Sequence, residues 1–210
     1  TITLNDASVA LSGSSADIAA ALTGISSYTG TAALTSNHTL AELKTVNNAT
    51  SGTITLNSYG VALSGSTSDV KAALAGTFAS NYTGNVTLSD GDGSGIAAAD
   101  ITTIEGDTSG TVTVSNAINI TGTTAEVIDA LDTKGVGAAT ANIVLSDTPT
   151  VGNLQTLNNK TSGSIKILNG AITYSGSATV LSEALAGTVT DGDGNGLTGN
   201  MTLTGNPNAT

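Results

Sequence analysis

This chain of 210 residues has no cysteine and no tryptophan, and only one methionine, one histidine, two prolines and 2% aromatic residues. Without cysteine there is no disulfide, thiolate metal site or thiol nucleophile. The single histidine, His38, leaves little from which to build a Ser-His-Asp relay or a histidine-rich metal centre. Charge is scarce and one-sided: 16 acids stand against five lysines, for a formal net charge of −11. Nucleic-acid binding is excluded on that ground, since it needs clustered basic side chains to displace counterions, and aromatics or arginine for the bases. No apolar run approaches the ~20 residues that cross a bilayer, so the chain is not read as membrane-spanning.

What is present is small and repetitive. Hydrophobic residues make up 39%, mostly alanine, valine, isoleucine and leucine interleaved with threonine and serine, beside 26 glycines. That apolar content is too high for the usual disorder signature. The core it can build is thin, as in repeat proteins.

Self-similarity governs the chain. Thr-Ser-Gly recurs at Thr50–Gly52, Thr108–Gly110 and Thr161–Gly163, each followed by an alternating strand pattern: Thr53–Leu56, Thr111–Val114 and Ser164–Ile167. Thr1–Leu4 has the same pattern. A second short strand follows in each copy, at Val9–Gly13, Val61–Gly65, Ile118–Gly122 and Ile172–Gly176. Helices come next, because Ser14, Ser66 and Thr123 stand three residues ahead of Asp17, Asp69 and Glu126, the spacing of a capping box. Apolar residues then fall at helical spacing: Ile18/Ala21/Leu22, Val70/Ala73/Leu74, Val127/Ala130/Leu131 and Leu181/Ala184/Leu185. Gly24, Gly76, Gly135 and Gly187 are placed as C-caps. In the fourth copy Val180 replaces the capping acid, which predicts a weaker helix start.

A second half-repeat opens at Tyr28–Gly30, Tyr82–Gly84 and, in degenerate form, Leu197–Gly199. Its strands are Asn85–Leu88, Asn142–Leu145 and Asn200–Leu203. Its short helices carry Leu40/Leu43/Val46, Ala98/Ile101/Ile104 and Val151/Leu154/Leu157. Thr39 with Glu42 makes another capping box, and Pro149 suits a helix first turn. The Asn47-Asn48 and Asn158-Asn159 pairs read as C-caps.

Strands joined by helices run parallel with right-handed crossovers. The expected fold is therefore α/β: a right-handed solenoid of strand-helix repeats with a parallel sheet, in the manner of leucine-rich repeats. The alternative is an all-β tandem of sandwich modules, with a hairpin around Asn57–Gly60. The array is a single one over residues 1–210, with units of approximately 1–52, 53–110, 111–163 and 164–210. Neither end carries a polar cap, so the expectation is an excerpt of a longer array or a filament subunit that associates end to end.

The strings Tyr82-Thr-Gly-Asn-Val-Thr-Leu88, Leu157-Asn-Asn-Lys-Thr-Ser-Gly163 and Ala73-Leu-Ala-Gly-Thr77 carry a resemblance. They resemble repeats of very large, low-complexity secreted or cell-surface proteins of bacteria, notably marine cyanobacteria, over essentially the whole chain. The resemblance implies an extracellular structural or adhesive role without disulfides. It brings no catalytic residues, and no enzyme is expected.

Two loops interrupt the repeat. Asp90-Gly-Asp-Gly-Ser-Gly95 and Asp191-Gly-Asp-Gly-Asn-Gly196 share the alternating oxygen pattern of a calcium loop, with glycines permitting the tight turn. Candidate calcium ligands are Asp90, Asp92, Ser94 and Asp100 in the first, and Asp191, Asp193 and Asn195 in the second. Neither loop is a full EF-hand, because the twelfth positions are Ile101 and Thr202, so backbone carbonyls or water would have to complete each site; the alternative is a flexible, solvated Asp-Gly turn. Thr1/Thr3, Thr53/Thr55 and Thr111/Thr113 each share a strand face. Stacked, they would form a flat threonine ladder able to meet ice or a polysaccharide, but Ser164 and Lys166 break it in the fourth copy, and ordinary β-propensity on a solvated face is the plainer reading. Of the rest, eight N-x-[ST] sequons are what so much threonine produces by chance, and His38 is expected on the surface at a helix start. Tyr28, Tyr59, Tyr82 and Tyr174 are expected to cover core corners, and Asp129 and Asp132 to lie on a polar helix face. The expected function is structural: a segment of a surface-layer, adhesin or filament-forming array, with calcium stabilisation.

Overall fold

The structure is a computed structural model, which describes residues 5–25, 27–169 and 172–205. Among these the chain is mixed α/β, with seven α-helices and several parallel sheets. It divides into two compact units: the residues up to Ser89 with Thr103–Thr113, and Asp90–Thr102 with the residues from Val114 on.

The first unit contains β1 (Leu11–Gly13), α1 (Ser15–Leu22), β2 (Ala32–Leu34), α2 (Leu40–Ala49), β3 (Ile54–Thr55), β4 (Leu63–Gly65), α3 (Thr67–Leu74) and β5 (Val86–Leu88). The chain then forms β6 (Gly95–Ala97), α4 (Ala98–Asp107), within which the two units divide, and β7 (Val112–Val114). The second unit continues with β8 (Asn119–Gly122), α5 (Thr124–Ile128), β9 (Asn142–Leu145), α6 (Val151–Asn158), β10 (Ile165–Ile167), β11 (Tyr174–Gly176), α7 (Ala178–Ala184), β12 (Val189–Thr190) and β13 (Met201–Leu203). Sheet orders are β1-β2-β3 and β4-β5-β7, then β12-β10-β9-β8-β6 and β11-β13.

The described strand pairings are parallel, in a register that repeats with the sequence. Leu11 faces Ala32 and Ala32 faces Ile54; Leu63 faces Val86; Ile120, Ile143 and Ile165 stand in one column. That isoleucine column is fully buried, and each such side chain stabilises by roughly 1.5–3 kcal/mol. Residues 57–60 form no hairpin: β3 pairs with β2 and β4 with β5. Parallel pairing and seven helices are incompatible with the all-β alternative.

The helix starts follow the sequence signals. Ser14, Ser66, Thr39 and Thr123 accept from the N–H groups of Asp17, Asp69, Glu42 and Glu126, and the last two pairs close complete capping boxes. In the fourth copy Ser177 still accepts from the Val180 N–H, at 3.3 Å, and only the reciprocal acid is lost. Gly24, Gly135 and Gly187 turn left-handed at φ +82°, +73° and +73°. Gly76 does not; a Cβ there would meet the Asn47 side-chain amide, so close approach rather than a left-handed turn favours glycine. Helix α5 continues as a π-helical turn, Asp129–Thr133, closed by Lys134 N–H to the Asp129 carbonyl at 2.8 Å.

Three placements differ from the sequence reading. Ala21 is exposed and Ala19 buried, so the inner face of α1 is Ser15, Ile18, Ala19 and Leu22. Pro149 precedes the N-cap Thr150 and lies outside α6. The first insertion also ends in a strand, β6, which exists through pairing with β8 and has no local signature.

Candidate functional site

The Thr-Ser-Gly motif is a joint in which all three residues are used. Thr50 Oγ1 donates to the Gly30 carbonyl at 2.7 Å and accepts from the Gly52 N–H at 2.9 Å. Thr108 does the same with the Gly84 carbonyl at 2.8 Å and the Gly110 N–H at 3.0 Å. Thr161 donates to the Ala141 carbonyl and accepts from the Gly163 N–H at 2.9 Å. The serines supply backbone donors: Ser51 to Tyr28, Ser109 to Tyr82 and Ser162 to Ala139, at 3.0, 2.9 and 2.8 Å. Glycine is required because a Cβ at Gly52, Gly110 or Gly163 would lie 2.3, 2.3 or 2.2 Å from the carbonyl oxygen of Gly30, Gly84 or Ala141. The three threonines are buried, so their hydroxyls must be paired, and they are.

Asparagines make the neighbouring joints. Asn142 Nδ2 donates to Asn119 Oδ1 at 3.2 Å, and Asn142 Oδ1 accepts from the Ser164 N–H at 2.9 Å. Asn119 Nδ2 donates to the Gly93 carbonyl at 2.9 Å. Asn47 lies within α2 rather than capping it; its amide donates to the Ala72 carbonyl at 2.6 Å, as Asn158 does to that of Ala184 at 2.6 Å. Of the asparagine pairs, Asn159 is a C-cap.

The proposed calcium ligands occupy two hydrogen-bonded loops. In the first, Asp92 Oδ1 accepts from the Ala117 N–H at 2.9 Å, the Asp90 carbonyl accepts from Asn116 Nδ2 at 2.6 Å, and the Ser94 carbonyl accepts from the Asn119 N–H at 2.8 Å. Asp100 lies in the first turn of α4. In the second, Asp191 Oδ1 accepts from the N–H groups of Asp193 and Asn195 at 3.0 and 2.8 Å. Gly93 and Gly194 hold matching left-handed turns at φ +74° and +84°. Among the described residues no three acidic or histidine side chains gather, whereas calcium takes six to eight oxygens.

The threonine rows do not align. Thr55 lies in β3 and Thr113 in β7, which belong to different sheets, and the register neighbour of Thr55 is Ala33. Thr1 and Thr3 lie outside the described residues.

His38 is not on the surface. It is 4% exposed, with Nε2 3.1 Å from the Tyr82 hydroxyl, and burial lowers its pKa against a smaller opposing effect of Glu42. The sequence Asn-His-Thr-Leu carries no signal for this, because the partner lies 44 residues away. Tyr28, Tyr82 and Tyr174 are buried as expected, while Tyr59 is half-buried. The hydroxyls of Tyr28 and Tyr82 donate to the Val9 and Val61 carbonyls, whereas that of Tyr174 is buried, finds no partner among the described residues, and has its pKa pushed up by burial to about 12. Acids at the caps are held low: Glu42 by the Thr39 N–H and then the Ser15 hydroxyl, Asp69 chiefly by its bond to Lys44. Asp107 runs the other way, since burial raises its carboxyl.

No protein-family model matches the chain, and neither a curated protein nor a solved structure shows significant similarity to it.

Proposed function

We propose that the chain is a non-catalytic, structural segment of an extracellular repeat array, its strand-helix half-units stacking as a right-handed solenoid. The observation that carries this reading is the Thr-Ser-Gly joint, made three times with the same donors and acceptors. Polar groups that another protein would gather in a site are here spent on binding one half-unit to the half-unit before it. The only histidine is spent in the interior as well. Such periodic bonding gives nearest-neighbour stability, the property of an extended scaffold.

Small-angle scattering tests the reading. An elongated particle whose length rises in proportion to the number of units, in variants shortened by one unit, is the expected result. A compact particle, or a cooperative collapse on removing one unit, would overturn it. Electron micrographs of the native source decorated with antibody to the chain test the cell-surface part, and signal confined to the cell interior would refute it.

A further inference from the structure

Within the first unit, the turn after α3 and the C-terminal end of α4 line an open cavity of about 330 Å³, at the small end of ligand sites. Its lining includes Leu74, Phe78, Asn81, Asp107 and Ser109. We propose that this cavity binds a small organic ammonium ion.

Three features of charge converge there. Helix α3 ends at Leu74 and α4 at Asp107, so both helices bring their C-terminal, partially negative ends to the cavity. Asp107 adds a full negative charge at the helix end where an acid is least favourable, so it costs stability unless a cation meets it. Burial alone perturbs this carboxyl, and no lysine lines the cavity. Phe78, the only phenylalanine of the chain, lines the cavity with a ring of the kind that attracts alkylammonium groups. A single carboxylate in one lining with an aromatic ring suits an organic cation better than a hard metal ion, which needs several oxygens.

The repeat supplies internal controls. The same position in the preceding copy encloses about 370 Å³ between Tyr28, Asn48, Ala49, Thr50 and Ser51. There Ala49 stands in place of Asp107, and the loop from Gly24 to Tyr28 is two residues shorter than that from Gly76 to Tyr82 and holds no phenylalanine, so acid and ring arrive together in one copy only. In the third copy the place of Asp107 is taken by Lys160, whose ammonium pairs with Asp132 at 2.7 Å. That copy carries its own ammonium; the second has the matching acid and no such partner in the lining.

The test is a titration of the 210-residue chain with choline and with butylamine, followed by amide NMR shifts, using 3,3-dimethylbutanol as the uncharged isostere of choline. Expected are saturable shifts at residues 74–82 and 106–109 with both cations and none with the alcohol. Asp107→Asn should weaken choline binding roughly tenfold or more. Asp107→Ala, which installs the residue of the preceding copy, should do the same without unfolding the chain. Phe78→Leu should weaken binding while sparing Asp107, and Asp132→Asn should change nothing. Equal shifts with the alcohol, shifts spread over the acidic surface, or full affinity in Asp107→Asn would each overturn the proposal.

Discussion

Tyr82 and His38, 44 positions apart, meet in the interior with the phenol oxygen 3.1 Å from Nε2. Because the Tyr82 hydroxyl donates to the Val61 carbonyl, its one proton is committed, and Nε2 must be the donor to it. That fixes the tautomer and leaves Nδ1 as a buried acceptor without a partner among the described residues. Protonation of His38 would place a charge there.

The pH dependence follows with its sign. Burial lowers the folded pKa of His38 below its ordinary 6.5, so the unfolded chain takes up the proton first. Stability is fully present above about pH 6.5 and falls as the pH drops through that value toward the folded pKa. Urea midpoints between pH 8 and pH 5 check this, and His38→Gln should flatten the profile. Acids held low, such as Glu42 and Asp69, act in a separate window, losing their contribution only below their ordinary values of 4.5 and 3.8. An unchanged pH profile in His38→Gln would refute the assignment.

Glycine at the joint is tested by Gly52→Ala, whose Cβ would enter the Gly30 carbonyl at 2.3 Å. A backbone contact cannot rotate aside, so the cost should reach at least about 2 kcal/mol. Gly152→Ala in α6 is the contrast, with its nearest atom 4.0 Å away and no left-handed turn. There alanine should gain about 0.5 kcal/mol by restricting the unfolded chain. Equal effects of the two substitutions in thermal melts would dismiss the close-approach argument.

Thr108→Val removes one hydroxyl and strands two groups, the Gly84 carbonyl and the Gly110 N–H. A loss of about 1–3 kcal/mol is expected, since valine keeps the shape and loses both bonds. Thr108→Ser should retain most of the stability. If valine and serine behave alike, the hydroxyl is not what the joint depends on.

How much of this was legible beforehand depended on range. Helix starts were readable because a cap and its N–H donor lie three residues apart, and the strands were readable because their alternation is local, while the column they stack into depends on register between distant residues. Thr-Ser-Gly was visible as a repeat but not as a joint, because each threonine bonds a carbonyl 20 or 24 residues earlier. His38 and Gly76 were misread for the same reason: Tyr82 and Asn47 decide their environments, and neither is a sequence neighbour. The Asp-Gly loops were recognised by composition, yet their carboxylates answer to backbone N–H groups that composition does not encode.

Calcium and hydrogen bonding make opposite predictions for Asp92. As an acceptor from the Ala117 N–H, Asp92 contributes about 0.5–1 kcal/mol whatever the cation present. Asp92→Ala should therefore lower the melting temperature equally in chelator and in millimolar calcium. A loss confined to the calcium sample would instead establish the loop as a calcium site, because a ligand stabilises only the state that binds it.

The last described strand tests self-association. Met201 and Leu203 of β13 are 51% and 58% exposed, whereas their counterparts Val86/Leu88 and Ile143/Leu145 are at most 1% exposed. In those copies the strand is paired on both sides, β5 between β4 and β7, β9 between β8 and β10; β13 pairs only with β11 among the described residues. An apolar parallel edge of this kind is a template for a further strand. Sedimentation velocity at rising concentration should show association of the unmodified chain. A variant with Met201→Lys and Leu203→Lys should remain monomeric, with a melting temperature only slightly lowered, because both side chains keep more than half of their surface in solvent. Association that survives both lysines would place the contact elsewhere and remove β13 from the assembly.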